Sequence, residues 1–157
     1  MLPQNIRNHF IEQYSEKTGD VLKIKETSPL SGGSINDACK IITDKGDFFI
    51  KWNNADLFPG MFETEAKGLS LLSETNTILI PAVILQQNCG NYNYLVLEYI
   101  NKGSVNNDFW NVFGKNMAAI HSVKSDYFGL DYDNYIGSLK QFNKKHYNWI
   151  SFFVEQR

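Results

Sequence analysis

Two changes in the spacing of apolar residues divide this chain and restrict what it can fold into. Ile6, Phe10 and Tyr14 recur every four positions, the period of a short amphipathic helix over 5–15 that Gly19 is placed to stop. The period then falls to two. Leu22 and Ile24 alternate with Lys23 and Lys25, and after a Ser31-Gly32-Gly33-Ser34 turn a run over 38–43 leads through Asp44-Lys45-Gly46 into 47–52. This predicts three antiparallel strands. A helical segment over 61–73, a strand after Pro81, a turn at Asn88-Cys89-Gly90-Asn91 and a strand over 92–99 follow. Beyond Lys102-Gly103 the period returns to helical: Trp110, Phe113, Met117 and Ile120 fall on one face behind the polar residues of 104–108. The last apolar pattern, Trp149, Phe152 and Phe153, runs to Arg157 with no Gly or Pro before it, as in a chain halted inside a helix.

The order of elements predicts an α+β fold: a five-stranded antiparallel sheet with the 61–73 helix packed on it, then the first helices of a second, helical lobe. The expected division is residues 1–100 for the first lobe and 101–157 for the hinge and an incomplete second lobe. Without the rest of that lobe Trp110, Trp149, Phe152 and Phe153 would be under-covered, so exposed apolar surface and self-association are expected.

Composition narrows the function. With 157 residues, 43% of them hydrophobic, the chain can build a real core. Its formal net charge of -2 comes from interspersed signs, which leaves no basic stripe for a nucleic acid. The longest nearly uninterrupted apolar run, 78–85, contains Pro81 and is far too short for a bilayer. Cys39 and Cys89 lack metal-site spacing and read as reduced thiols of a cytoplasmic protein.

The pair that carries most chemistry is Lys51 and Glu65, since a strand lysine and a glutamate on the next helix can together hold nucleotide phosphates. At about 100° per residue, Phe62, Glu65, Ala66, Leu69 and Leu72 share a helix face, which places Glu65 inside the apolar stripe and Glu63 outside it. A carboxylate there requires a cation, and Lys51, between Ile50 and Trp52, is the best candidate. Phe49 lies on the same strand face, placed to cover an adenine ring. The plain alternative is a solvated strand lysine and a glutamate at the rim of the core.

Gly32, Gly33, Ser34, Ile35 and Asn36 lie between the first two strands, where flexible backbone can approach phosphate oxygens, although a Gly-Gly pair also fits an ordinary hairpin. Leu97, Glu98, Tyr99 and Ile100 end a strand just before the helical region. As a hinge they would offer a Glu98 carbonyl and an Ile100 amide to an adenine edge; as an ordinary strand end they would do neither. His121 reads as a packing or capping residue, and His9 and His146 lack partners at metal-ligand spacing.

Together these residues resemble the kinase-like superfamily of aminoglycoside and choline phosphotransferases, and more closely the fructosamine kinase, or ketosamine-3-kinase, family. The resemblance rests on Gly32-Gly33-Ser34-Ile35-Asn36, Phe49-Ile50-Lys51, Met61-Phe62-Glu63-Thr64-Glu65 and Leu97-Glu98-Tyr99. Its most specific part is Phe128-Gly129, Asp133-Asn134-Tyr135-Ile136-Gly137, Gln141, Asn143, Trp149-Ile150-Ser151-Phe152-Phe153 and Arg157. An acidic pair common in the family before that tryptophan is replaced here by Tyr147-Asn148.

The resemblance implies a protein-kinase-like first lobe and ATP as phosphoryl donor. Lys51 would bind the phosphates, Glu65 orient Lys51, the 31–36 loop cover the phosphates, and Glu98 with Ile100 hold adenine. The implied acceptor is the sugar of a ketosamine, free or on a glycated protein lysine, with Asn134, Gln141 and Asn143 expected near it. It further implies that the catalytic Asp and the Mg2+ ligands follow Arg157, so that these 157 residues alone are expected to be inactive. Two other readings remain open: a non-catalytic nucleotide-binding module, and a related aminoglycoside- or choline-type phosphotransferase.

Overall fold

The computed structural model describes residues 1–31, 33 and 35–157. They form two compact units, Met1–Ala66 with Pro81–Ile100, and Lys67–Ile80 with Asn101–Arg157.

The first unit is built on a five-stranded sheet. Its strands are β1 (Ile24–Pro29), β2 (Asp37–Thr43), β3 (Asp47–Asn54), β4 (Val83–Cys89) and β5 (Tyr92–Glu98). They lie in the spatial order β1-β2-β3-β5-β4, with every neighbouring pair antiparallel. Helix α1 (Gln4–Thr18) ends at Gly19 in the left-handed conformation (φ 78°), which a glycine adopts without steric cost. Helix α2 (Met61–Glu74) follows β3 and crosses from the first unit into the second.

The two faces of the sheet have different covers, and the period-two alternation of β3 shows why. Phe48, Ile50 and Trp52 are buried on one face together with Cys39, Ile41, Leu85, Tyr94 and Val96, where Ile6 and Phe10 of α1 close the core. Phe10 meets Phe48 edge to face at 5.7 Å, and the buried Tyr94 hydroxyl finds its partner in His9 Nδ1 at 3.0 Å. Phe49, Lys51 and Asn53 point to the opposite face, which receives the buried Met61 and Phe62 at the start of α2. The expected α2 is therefore present, but the larger apolar cover belongs to α1.

The first strand begins later than the alternation of residues 22–25 suggests. Leu22 is buried in the core just before it, Asp44 Oδ1 holds the Lys23 N–H at 2.9 Å, and the register shifts between Ile24 and Glu26.

The second unit contains α3 (Phe109–Ser122), the hairpin β6 (Asn134–Ile136) and β7 (Leu139–Gln141), and α4 (Trp149–Gln156). Helix α3 carries its aromatic residues outward, with Trp110 71% exposed. Of the four aromatics expected to be under-covered, Phe152 is buried, and it packs against Phe128, His146 and Trp149. Asn148 starts α4: its side-chain oxygen accepts the N–H groups of Ile150 and Ser151 at 2.9 and 3.2 Å.

No helix among the described residues is long and apolar enough to cross a membrane.

Candidate functional site

The face of the first unit's sheet opposite α1 gathers most of the residues singled out from sequence. Lys51 leaves β3 between two buried neighbours, and its ammonium donates to Glu65 Oε1 at 2.6 Å and lies 2.5 Å from Oε2. The two side chains retain only 16% and 34% of their exposure, and the Phe62 ring lies 5.3 Å from the ammonium. The carboxylate and ring hold the cation in place while part of it faces solvent, an arrangement able to receive an anion.

Phe49 stands two residues before Lys51 on the same face and opposite the buried Leu97 of β5. The β3–β5 ladder ends with the Tyr99 N–H donating to the Asp47 carbonyl at 3.3 Å. Glu98 is fastened to the other neighbour: its N–H donates to the Ala82 carbonyl at 2.9 Å, and its carboxylate accepts the Ala82 N–H at 3.3 Å. Beyond that anchor Ile100 is 43% exposed.

In the loop between β1 and β2, Gly32 and Ser34 lie outside the described residues. Gly33 is described, and a Cβ there would come within 2.9 Å of the Asn36 carbonyl oxygen, so the loop needs glycine at that point. Ile35 and Asn36 are half-buried. Asn36 Oδ1 accepts from Asn53 Nδ2 at 2.9 Å.

Two residues on this face were missed in the sequence. Lys40, opposite Phe49 in the ladder, binds Asp47 at 2.7 Å and lies 4.2 Å from the Tyr99 ring; the bond to Asp47 pushes its pKa up. Asn53 is buried and lies two residues beyond Lys51. Period-two spacing along β3 would have put Asn53 on the Lys51 face, whereas nothing local points to Lys40.

Asn134, Gln141 and Asn143 lie in the second unit. Asn134 and Gln141 are cross-strand partners in the β6–β7 hairpin, and Asn143 follows it. The Asn143 amide is committed within the fold: Nδ2 donates to the Tyr132 carbonyl and to Asn134 Oδ1, both at 3.0 Å, and Oδ1 accepts from Arg157 at 2.7 Å. Arg157 also donates to the Phe142 carbonyl and stacks 4.6 Å from the Phe152 ring. Gly129 (φ 107°) closes the same knot, because a Cβ there would meet the Asn143 carbonyl at 2.8 Å. Phe128, Gly129, Asn143, Phe152 and Arg157 are thus one packed assembly. Beside it opens a cleft of about 630 Å³ lined by Asp131, Asp133, Asn143, Lys144 and Lys145.

No group of three or more His, Cys, Asp or Glu among the described residues could hold a metal ion.

Comparison with known proteins gives this arrangement a lineage. The profile of the family described as fructosamine kinase matches residues 6–157. The chain is 37% identical over 147 residues to a "Probable ketoamine kinase" of Synechocystis, covering 93% of this chain and 50% of that protein. It is 35% identical over 153 residues to a protein of Oryza sativa subsp. indica named "Protein-ribulosamine 3-kinase, chloroplastic", covering 94% of this chain and 43% of that one. A crystal structure of a candidate fructosamine-3-kinase from Haemophilus somnus 129PT superposes with a TM-score of 0.85 at 30% identity, covering 94% of this chain and 50% of that one. The chain spans about half the length of the relatives it matches. In sequence and in its kinase-like fold, this chain belongs to the fructosamine kinase family.

Proposed function

We propose that the sheet face around Lys51 binds ATP, and that the whole protein transfers its γ-phosphate to the sugar hydroxyl of a ketosamine, free or carried on a protein lysine. The observation that supports this best is the Lys51–Glu65 pair, in which one carboxylate holds a half-buried ammonium. In this reading the ammonium meets the α- and β-phosphates and Glu65 fixes its direction. The 31–36 loop, with Gly32, Gly33, Ser34, Ile35 and Asn36, covers the phosphates. Phe49 and Leu97 supply an apolar surface for the purine, while the Glu98 carbonyl and Ile100 N–H read its edge, with Tyr99 between them.

Among the described residues no group of three or more His, Cys, Asp or Glu is available for magnesium, so no step through a metal is assigned to them. Asn134, Gln141 and Asn143 are the acceptor candidates; Asn143, buried and bonded to Asn134 Oδ1, the Tyr132 carbonyl and Arg157, would act by holding Asn134 in place. The outward apolar side chains of α3 and α4 support self-association of the isolated chain, which sedimentation would detect.

Calorimetric titration of the purified chain with ATP and with adenosine tests the nucleotide assignment. Saturable ATP binding that Lys51→Met weakens at least about tenfold supports it, since a charge-assisted contact to phosphate is lost. ATP binding that is indifferent to Lys51→Met overturns it.

A further inference from the structure

Asn53 is an unusual residue to find at that place. It is only 6% exposed, near the end of the central strand of a sheet whose other buried side chains are mostly apolar. Its Nδ2 donates to Asn36 Oδ1 at 2.9 Å and approaches Met61 Sδ at 3.3 Å, while its Oδ1 is buried with no partner among the described residues. An orphaned buried acceptor costs stability, so packing alone does not explain the asparagine.

Its neighbours do. Lys51 and Asn53 are two apart on one strand face, and Met61 and Glu65 are one turn apart on one helix face. The contacts Lys51–Glu65 and Asn53–Met61 are therefore adjacent rungs between β3 and the start of α2. Asn53 also reaches the glycine-containing loop, through Asn36. Its cross-strand partner Asn93, equally buried, holds the Phe58 carbonyl at 3.2 Å, in the connection that delivers α2.

We propose that Asn53 is a positioning residue for phosphate recognition: it fixes the Asn36 end of the loop between β1 and β2 to the same strand and helix turn that carry Lys51 and Glu65, so that this end of the loop and the ammonium serve one phosphate group. This rests on the nucleotide reading of the site. A residue with that role affects the phosphate end of a ligand and leaves the purine end alone, which a purely structural role would not do.

The test is calorimetric titration with ATP and adenosine of the unsubstituted chain, Asn53→Leu, Asn36→Ala and the double variant. Leucine fills the same space and removes the orphaned oxygen, so folding stability should hold. Each single variant should lose about tenfold in ATP affinity with adenosine affinity within about twofold. The double variant should lose no more than either alone, because both remove one bond. ATP binding that both single variants leave unchanged, equal losses for ATP and adenosine, or fully additive losses would each overturn the proposal. If Asn53→Leu does not fold, the outcome is decided by the ATP-against-adenosine split of Asn36→Ala, a half-buried loop residue. Failure of the unsubstituted chain to bind ATP would overturn the nucleotide reading itself, and this inference with it.

Discussion

Lys51 and Glu65 meet with both carboxylate oxygens close to the same ammonium, at 2.6 and 2.5 Å, although fourteen positions separate them in the chain. Removing either charge leaves the other half-buried without a partner. Glu65→Gln should cost about 1–2 kcal/mol in stability, less than a fully buried pair because both groups keep some access to water. Urea unfolding of Glu65→Gln, read beside the ATP affinity of the same variant, checks both consequences.

Phe49 lies beside Lys51 but makes no part of the core under α1. Phe49→Ala should therefore weaken adenosine and ATP binding alike, about three- to tenfold, while shifting stability by less than Ile50→Ala, which opens a cavity costing about 2–5 kcal/mol. Titration and thermal unfolding of the two variants separate the faces.

Burial pushes the Cys39 thiol from 9.0 up to about 11. The protonated form is favoured in the folded chain, so this contribution is fully present below pH 9.0 and is lost as pH rises from 9.0 towards 11. Cys39→Ala should flatten that alkaline decline in a stability profile. In a thiol-labelling time course at neutral pH, half-buried Cys89 should react first and Cys39 only on unfolding.

The Asn148 side chain caps two amides at the start of α4. Asn148→Ala should cost about 0.5–2 kcal/mol, whereas Asn148→Asp should be nearly neutral because aspartate accepts the same bonds. Denaturant unfolding of the two variants checks this. The Tyr147-Asn148 departure from the family's acidic pair thus keeps a cap.

Gly129 combines a left-handed backbone with a carbonyl where a Cβ would sit. Gly129→Ala should lower the melting temperature and loosen the second unit first, which hydrogen exchange at Phe128 and Phe152 would show.

The sheet and the Lys51–Glu65 pair were legible because both depend on short-range periodicity: one phase along β3 separates Lys51 from Ile50, and about 200° of rotation around α2 separates Glu65 from Glu63. The β6–β7 hairpin was not legible in the spacing of apolar residues, since each strand has three residues and carries polar side chains. Its signal was the two-residue Gly137-Ser138 turn, with Gly137 at φ 60°. The roles of Asn143 and Arg157 were not legible, because their bonds join elements that sequence spacing does not bring together. The same holds for Lys40 over Tyr99.

Because α1 seals one side of the sheet, β3 carries two independent messages interleaved letter by letter. On the proposed reading, exchanges at Phe48, Ile50 and Trp52 should show first in whether the chain folds, and exchanges at Phe49, Lys51 and Asn53 first in what it holds. A saturation library across this one strand, sorted for expression and then for ligand capture, should split into two sets of positions that alternate along the chain.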